Sequence, residues 1–212
     1  MDLIESMRIK ARTLLNDSKG SHDWEHTLRV YKLAIHIGKI ENADLKIVKL
    51  AALLHDIGRH HEDTAQGKIC HAKKGAEMAR KILEKSSLSK DNIDQITHCI
   101  RSHRFRDDNP PQTREARVLF DADKLDAIGA VGIGRAFQFA GEVGARLHDP
   151  DVDPESTKPY SPDDTAYREY LVKLRKIKER VFTAEGRRLA QERHDFMVEF
   201  FKRLNQEVAG NL

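Results

Sequence analysis

The sequence predicts an all-α fold, and three observations predict it. Apolar residues recur at three- and four-residue intervals through most of the chain. No convincing alternating strand pattern appears; Val118-Leu-Phe120 is the one short apolar run that could be mistaken for a strand. Charged residues make up 33% of the 212 residues, which suits helices with solvated outer faces around a modest core.

The elements follow in order. Leu3, Ile4, Met7, Ala11, Leu14 and Leu15 form the stripe of a first helix, ended by Asn16-Asp-Ser-Lys-Gly20. A second helix starts near Asp23, a plausible N-cap, and runs to Gly38 on Leu28, Val30, Tyr31, Ala34, Ile35 and Ile37. A third runs from about Asp44 to Ile57. It is apolar on most sides from Leu50 to Leu54, so it belongs at the core. Residues 59–70 are polar and read as a loop. Helical patterns resume at about 71–85, 91–104 and 113–127, the last two separated by Asn109-Pro-Pro111.

Ala127 to Leu147 is rich in Gly and Ala. Each Gly costs ~1 kcal/mol against Ala in a helix, so this helix is expected to be packed tightly or kinked. His148 to Pro162 holds four of the six prolines and reads as a long loop of the kind that serves as a lid or binding segment. Asp163 or Asp164 can cap a penultimate helix reaching about Phe182. Thr183-Ala-Glu-Gly-Arg187 then turns into a last helix over 184–207. The expected organisation is a helical core over residues 1–147 that carries the chemistry. A proline-rich loop and C-terminal helices over 148–212 pack on it.

Composition bounds the function. A net charge of +3 favours anionic ligands slightly and argues against a dedicated nucleic-acid binder. Cys70 and Cys99 have no short pairing, which excludes a disulfide framework or zinc ribbon. No apolar run approaches the length of a bilayer span, and the residues after Met1 lack an apolar signal core. A cytoplasmic enzyme without membrane contact is therefore expected. Walker-type phosphate loops, G-x-S-x-G elbows and paired-cysteine nucleophiles are absent from the sequence.

The chemistry is concentrated in one doublet. His55 and Asp56 stand side by side at the end of the apolar run Val48-Lys-Leu-Ala-Ala-Leu-Leu-His-Asp-Ile-Gly58. Imidazole nitrogen and carboxylate oxygen both ligate divalent metals. Adjacent helical residues point ~100° apart, so two neighbours share one ion only where the helix ends, and Gly58 is a plausible C′ residue that ends it. A lone Asp against a Leu-rich helix would be costly, and a metal removes that conflict. His26 upstream, in His22-Asp-Trp-Glu-His26-Thr, and Asp123 downstream, in Asp121-Ala-Asp-Lys-Leu-Asp126, are further candidates. Asp121 is suited to an N-cap and Asp126 to a contact behind the ligands.

A distant His, a His-Asp doublet and a later Asp, in that order, resemble the HD superfamily of metal-dependent phosphohydrolases. Leu53-Leu-His-Asp-Ile-Gly58, Asp121-Ala-Asp-Lys-Leu-Asp-Ala-Ile-Gly129, Ser161-Pro-Asp-Asp-Thr165 and Arg193-His-Asp-Phe-Met197 are similar to one bacterial and archaeal subgroup, over roughly residues 20–206. The resemblance implies an HD-domain helical core with additional C-terminal helices, and a metal held by His26, His55, Asp56 and Asp123. Two imidazoles and two carboxylates leave coordination positions open; Mn2+ is preferred, with Ni2+, Co2+, Fe2+, Mg2+ or Zn2+ also compatible. Some members of the subgroup are nucleoside triphosphate pyrophosphohydrolases. The expected activity is hydrolysis of nucleoside or deoxynucleoside triphosphates through a metal-activated water, with pyrophosphate release. A nucleoside monophosphatase or cyclic-nucleotide phosphodiesterase on the same site is the alternative. A non-catalytic nucleotide or nucleic-acid module with a bound metal is a further one.

Other roles follow more loosely. Lys124 is the first candidate for a cation on phosphate. Glu62 and Asp63 are placed by type to act as acid and base; Arg59, Arg101, Arg104 and Arg135 are weaker phosphate candidates, each more readily read as a solvated or ion-paired residue. His71, His98 and His103 are extra imidazoles; His71 and His103 are assigned to substrate phosphate, with a second metal as the lesser reading. His22 orders its loop or meets substrate. Tyr160, on the proline-rich loop, could stack on a base. The Gly- and Ala-rich helix and the long C-terminal helices could serve a homodimer.

Overall fold

The computed structural model describes residues 2–15, 23–65, 67–104, 109–154 and 156–211. All regular elements among them are helical, so the all-α expectation holds. The chain gathers into two compact units: Met1–Asp123 with Phe182–Glu185, and Lys124–Val181 with Gly186–Leu212. The expected boundary at 147/148 thus differs from the division by compactness, because the Gly- and Ala-rich helix packs on the helix that follows the proline-rich loop.

The first unit contains α1 (Leu3–Leu15), α2 (Trp24–Ile40), α3 (Leu45–Leu54), α4 (Arg59–Thr64), α5 (His71–Leu83), α6 (Lys90–Ser102) and all but the last turn of α7 (Arg114–Asp126). α3 is its axis and packs against α1, α2 and α6. Seven residues of α3, from Ile47 to Leu54, are buried, as a helix apolar on most sides requires. Full burial of each Leu contributes roughly 1.5–3 kcal/mol. Side-chain caps fix the starts. Asp23 accepts from the His26 N–H at 2.9 Å, Asp44 from Lys46 at 2.8 Å, and Ser89 from Asn92 at 3.3 Å. Such caps contribute about 1 kcal/mol each.

The second unit contains α8 (Gly129–Glu142), α9 (Ala166–Val172), a 3-10 turn (Leu174–Glu179) and most of α10 (Ala184–Val208). Close packing in α8 is local: a Cβ at Gly132 would lie 2.2 Å from the Ala127 carbonyl oxygen, whereas Gly134 and Gly141 face open space.

Three local expectations need correction. Residues 59–64 form α4, not a loop. The helix has no apolar stripe to announce it and is held by charge pairs described below. The penultimate helix does not run to Phe182. It stops at Val172 and tightens into a 3-10 turn that buries both Leu174 and Ile177. Three residues per turn put those two on one line. Its cap is Thr165, whose Oγ1 accepts from the Arg168 N–H at 3.1 Å, and not Asp163 or Asp164.

Candidate metal centre

The doublet sits just past α3, and the helix end itself orients it. His55 occupies the C-cap, and its Nδ1–H donates to the Ala52 carbonyl at 2.8 Å. That carbonyl is one of the terminal acceptors an α-helix leaves unfilled. The bond fixes the tautomer: Nε2 carries the lone pair and faces Nε2 of His26, from the first turn of α2, at 3.4 Å. His26 Nε2 is also 3.4 Å from Oδ1 of Asp123 on α7. Asp56 Oδ2 lies 3.7 Å from both imidazoles. His26, His55 and Asp56 are buried, and Asp123 is half-buried. The structure therefore brings together the four residues singled out in the sequence.

Such a donor set fits a divalent ion. Two atoms bound at ~2.1 Å to one ion lie at most ~4.2 Å apart, and every separation above is within that reach. Burial pushes the His55 imidazole down to about 4, with His103 and His26 adding to the effect and Asp56 and Asp123 opposing it. His55 is therefore neutral near pH 7, the form that ligates metal.

Asp56 has a second oxygen with a second set of neighbours. Its Oδ1 is 3.4 Å from Nε2 of His71, at the start of α5, and 3.6 Å from Nε2 of His103, at the end of α6. The two nitrogens are 3.2 Å apart. His103 repeats the device of His55: it is the C-cap of its helix, and its Nδ1–H donates to the Ile100 carbonyl at 2.6 Å.

Gly58 is what lets α5 come so close. It does not adopt the left-handed conformation of a helix-ending glycine; its φ is −87°. A Cβ there would lie 2.3 Å from the His71 carbonyl oxygen and 2.6 Å from the Gly75 nitrogen. The requirement for glycine is close approach and not helix termination.

Behind His71 stands Glu62, on α4. The His71 Nδ1–H donates to Glu62 Oε2. Arg59 donates to the same oxygen at 3.0 Å, and Arg104 to Oε1 at 2.5 Å. Burial alone would raise the Glu62 carboxyl, but the hydrogen bonds and charges of Arg104 and His71 outweigh it and bring it down to about 2. Burial likewise takes His71 down to about 3, with His103 and Arg59 adding and Asp56 and Glu62 opposing. Sequence reading left Arg59 and Arg104 as solvated or ion-paired residues and did not name Glu62 as their shared partner. An Arg three residues before a Glu was the one local signal, and nothing local marks Arg104.

Other expected residues are placed elsewhere. Asp63 is exposed, and its side chain has no hydrogen-bond or ion-pair partner among the described residues. Lys124 follows Asp123 on α7 and is half-buried. Asp121 is not an N-cap of its own helix. It accepts from the N–H groups of Phe182 and Thr183 at 2.9 and 2.7 Å and from the Thr183 hydroxyl at 2.6 Å, just ahead of α10. Asp126 pairs with Arg135 at 2.8 Å. His98 Nε2 accepts from the Gln112 N–H at 3.1 Å. Tyr160 lies in the second unit, exposed, with its ring edge-on to Phe139. His22 lies outside the described residues.

The HD domain model matches residues 23–128, which include every residue of this cluster. The Bacillus subtilis protein YpgQ is 36% identical over 97% of this chain and 94% of its own length. The crystal structure of YpgQ in complex with ADP superposes with a TM-score of 0.74 at 33% identity, covering 96% of this chain and 94% of that one. A Bacillus thuringiensis HD-superfamily hydrolase gives a TM-score of 0.77 at 27% identity over 97% of this chain and 96% of that one. Ribonuclease Y of Chloroflexus aurantiacus is 37% identical over 58% of this chain, a stretch that spans 21% of that protein. A His, His-Asp, Asp cluster inside the matched segment, together with relatives similar from end to end, shows that this chain belongs to the HD domain family.

Proposed function

We propose that this protein is a metal-dependent hydrolase of nucleoside or deoxynucleoside triphosphates that releases pyrophosphate. The observation that carries the reading is the convergence of His26, His55, Asp56 and Asp123 from two helices and the end of a third. An ion held there supplies a Lewis acid for a phosphoryl oxygen and lowers the pKa of water; Mn2+ suits the mixed nitrogen and oxygen donors. A solved relative with ADP bound supports a nucleotide as the substrate class.

The chain's own residues have distinct tasks. His26 and His55 present lone pairs, and Asp56 and Asp123 supply negative charge that offsets the cation. Lys124, adjacent to Asp123 in sequence, is assigned to a phosphate oxygen, where a cation is most useful as charge develops. Glu62 is read as a positioning residue and not as an acid: the hydrogen bonds and charges of Arg104 and His71 outweigh burial and hold it at about 2, so it carries no proton to donate near neutral pH. Asp63 is left as the acid/base candidate on α4.

A phosphodiester in RNA is the second reading, favoured by the match to Ribonuclease Y. A net charge of +3 weighs against it. One panel separates the two. Ribonucleoside and deoxynucleoside triphosphates and monophosphates, a cyclic nucleotide and a short single-stranded RNA are each incubated with Mn2+, Ni2+, Co2+ or Mg2+, or with chelator. Chromatography then identifies the products. The expected result is pyrophosphate plus a nucleoside monophosphate, with Mn2+ and not with chelator. Shortened RNA with intact triphosphates would overturn it.

A further inference from the structure

A groove runs along the outer side of the α5–α6 pair, within the first unit. Lys73, Ala76, Glu77 and Arg80 line it from α5, and Asp94, Thr97, His98 and Arg101 from α6. Each set has the spacing i, i+3, i+4, i+7, which is one stripe on one helix. At ~100° per residue, each stripe lies roughly half a turn from the histidine its helix sends to Asp56, His71 or His103. The groove is therefore separate from the metal centre. Its volume of about 380 Å³ falls in the range of small-molecule sites.

Small buried residues, Ala76 and Thr97, give the groove its depth. Arg80 bridges it, pairing with Asp94 at 2.6 Å and donating to the Thr97 hydroxyl at 3.0 Å. A late residue of α5 thus meets an early one of α6, so the helices run antiparallel, and Lys73 and Glu77 fall across from Arg101 and His98. Asn109 joins them from the stretch after α6. Its side-chain nitrogen is shut off from solvent and has no hydrogen-bond partner among the described residues. Buried amide donors are nearly always paired, so this one calls for an acceptor. His98 accepts the Gln112 N–H on Nε2, which leaves its ring proton on Nδ1, and burial lowers its pKa and keeps the ring neutral. Arg101 and Glu77 are exposed, and neither makes an ion pair or side-chain hydrogen bond among the described residues. Donors and cations therefore prevail at this end, with Glu77 the acceptor beside them.

We propose that this groove binds a small sugar phosphate, with its phosphate toward Lys73, Arg101 and Asn109 and its hydroxyl groups toward Glu77. An Arg fork can bond two phosphate oxygens at once, and Lys73 adds charge from the opposite helix. A bare phosphate would set its oxygens against the Glu77 carboxylate, acceptor to acceptor; a sugar brings hydroxyl donors to that carboxylate. The ribose phosphate of a nucleotide offers the same chemistry as a free sugar phosphate. The described lining has no Phe, Tyr, Trp, Leu, Ile or Val, so a nucleobase finds no stacking surface there, and the free sugar phosphate is favoured. The assignment rests on neither the metal nor the hydrolysis proposed above.

The test reads binding, not turnover. Full-length protein in chelator is titrated calorimetrically with ribose 5-phosphate, orthophosphate, ribose and adenosine monophosphate. The same titrations on Arg101→Ala separate this groove from the metal centre, because only binding lost in that variant is counted. Wild type is expected to take up ribose 5-phosphate, to bind orthophosphate about 10-fold more weakly and ribose not at all, and to gain nothing from the adenine. Arg101→Ala should weaken ribose 5-phosphate by about 10–100-fold. Glu77→Ala should erase the preference over orthophosphate. Both side chains are exposed, and an unchanged helical circular dichroism signal confirms that each variant folds. Absence of binding at millimolar ribose 5-phosphate, or binding undiminished in Arg101→Ala, would overturn the site. Equal affinity for orthophosphate in wild type would overturn the sugar. Adenosine monophosphate bound more tightly, and weakened by Arg101→Ala, would make a nucleotide the occupant in its place. Each of these failures leaves the metal centre standing.

Discussion

Both units of this protein bury charged and polar side chains, and the two do so in opposite ways. In the second unit Arg168 is buried, and its guanidinium is used up: it pairs with Asp164 at 2.7 Å and donates to the Thr157 hydroxyl and carbonyl at 2.5 and 3.0 Å. Asp164 in turn accepts from the Tyr160 N–H at 2.7 Å. Donors meet acceptors there. In the first unit His55 and His103 donate to helix carbonyls and His71 to Glu62, and the other ring nitrogen of each faces Asp56. Burial of polar groups alone is therefore a poor marker of function. A surplus of one hydrogen-bonding type in a closed space is a good one, because only an added cation balances it.

The sharpest way to break this contrast is Asp56→Ala. It removes the carboxylate shared by both sets of imidazoles, so retention of Mn2+ and turnover should fall below detection while the helical circular dichroism signal stays near that of the wild type. Normal turnover with metal still bound would undo the site. The opposite experiment in the second unit is Arg168→Met. Breaking a buried pair from one side leaves Asp164 without its partner, at a cost of about 3–5 kcal/mol in denaturant unfolding, with metal content unchanged. An equal loss of metal would show that the two networks do not act separately.

Acid sharpens the contrast in another way. In metal-free protein His55 is lowered to about 4 and His71 to about 3 in the folded state, each from an ordinary value of 6.5. Unfolded chains bind protons at these groups below pH 6.5, and the folded protein does not until about 4 and 3. Stability therefore rises with pH through this window and is lost as pH falls, by at most about 1.4 kcal/mol per pH unit for each group. Glu62, depressed to about 2, extends the loss in the same direction below its ordinary value of 4.5. Thermal melts in chelator from pH 7 to 4 should show the decline. A flat profile would mean that the imidazoles are not buried as neutral acceptors.

Much of this was legible in the sequence, for identifiable reasons. The helices α1, α2, α3, α5, α6, α7 and α10 each bury an apolar stripe, and periodicity reports such stripes directly. Such reading fails where the reason for a helix is not apolar. Arg59-His-His-Glu-Asp-Thr64 has nothing to bury on one face, and its helix depends on Glu62 meeting Arg59 and, from far along the chain, Arg104. The break after Val172 was hidden for the opposite reason: Leu174 and Ile177 continue the apolar pattern, and three-residue spacing fits either helix type. At the site, the doublet and its two distant partners stood out by order and residue type. The meeting of His71 with His103 did not, since it depends on how α5 lies against α6 and on which ring nitrogen each histidine gives away.

Gly58 and Gly75 set the spacing between the end of α3 and the start of α5. The two backbones touch where a methyl on the first would strike the second, and one on Gly75 would reach the His55 carbonyl oxygen at 3.3 Å. Absent side chains at these two positions act as a spacer of fixed thickness between the end of α3 and the start of α5. The width of the chamber in which Asp56 faces His71 is thereby set by bare backbone, which neither rotates nor swaps rotamers. A methyl at 58 would pry that chamber wider and carry His71 away from Asp56.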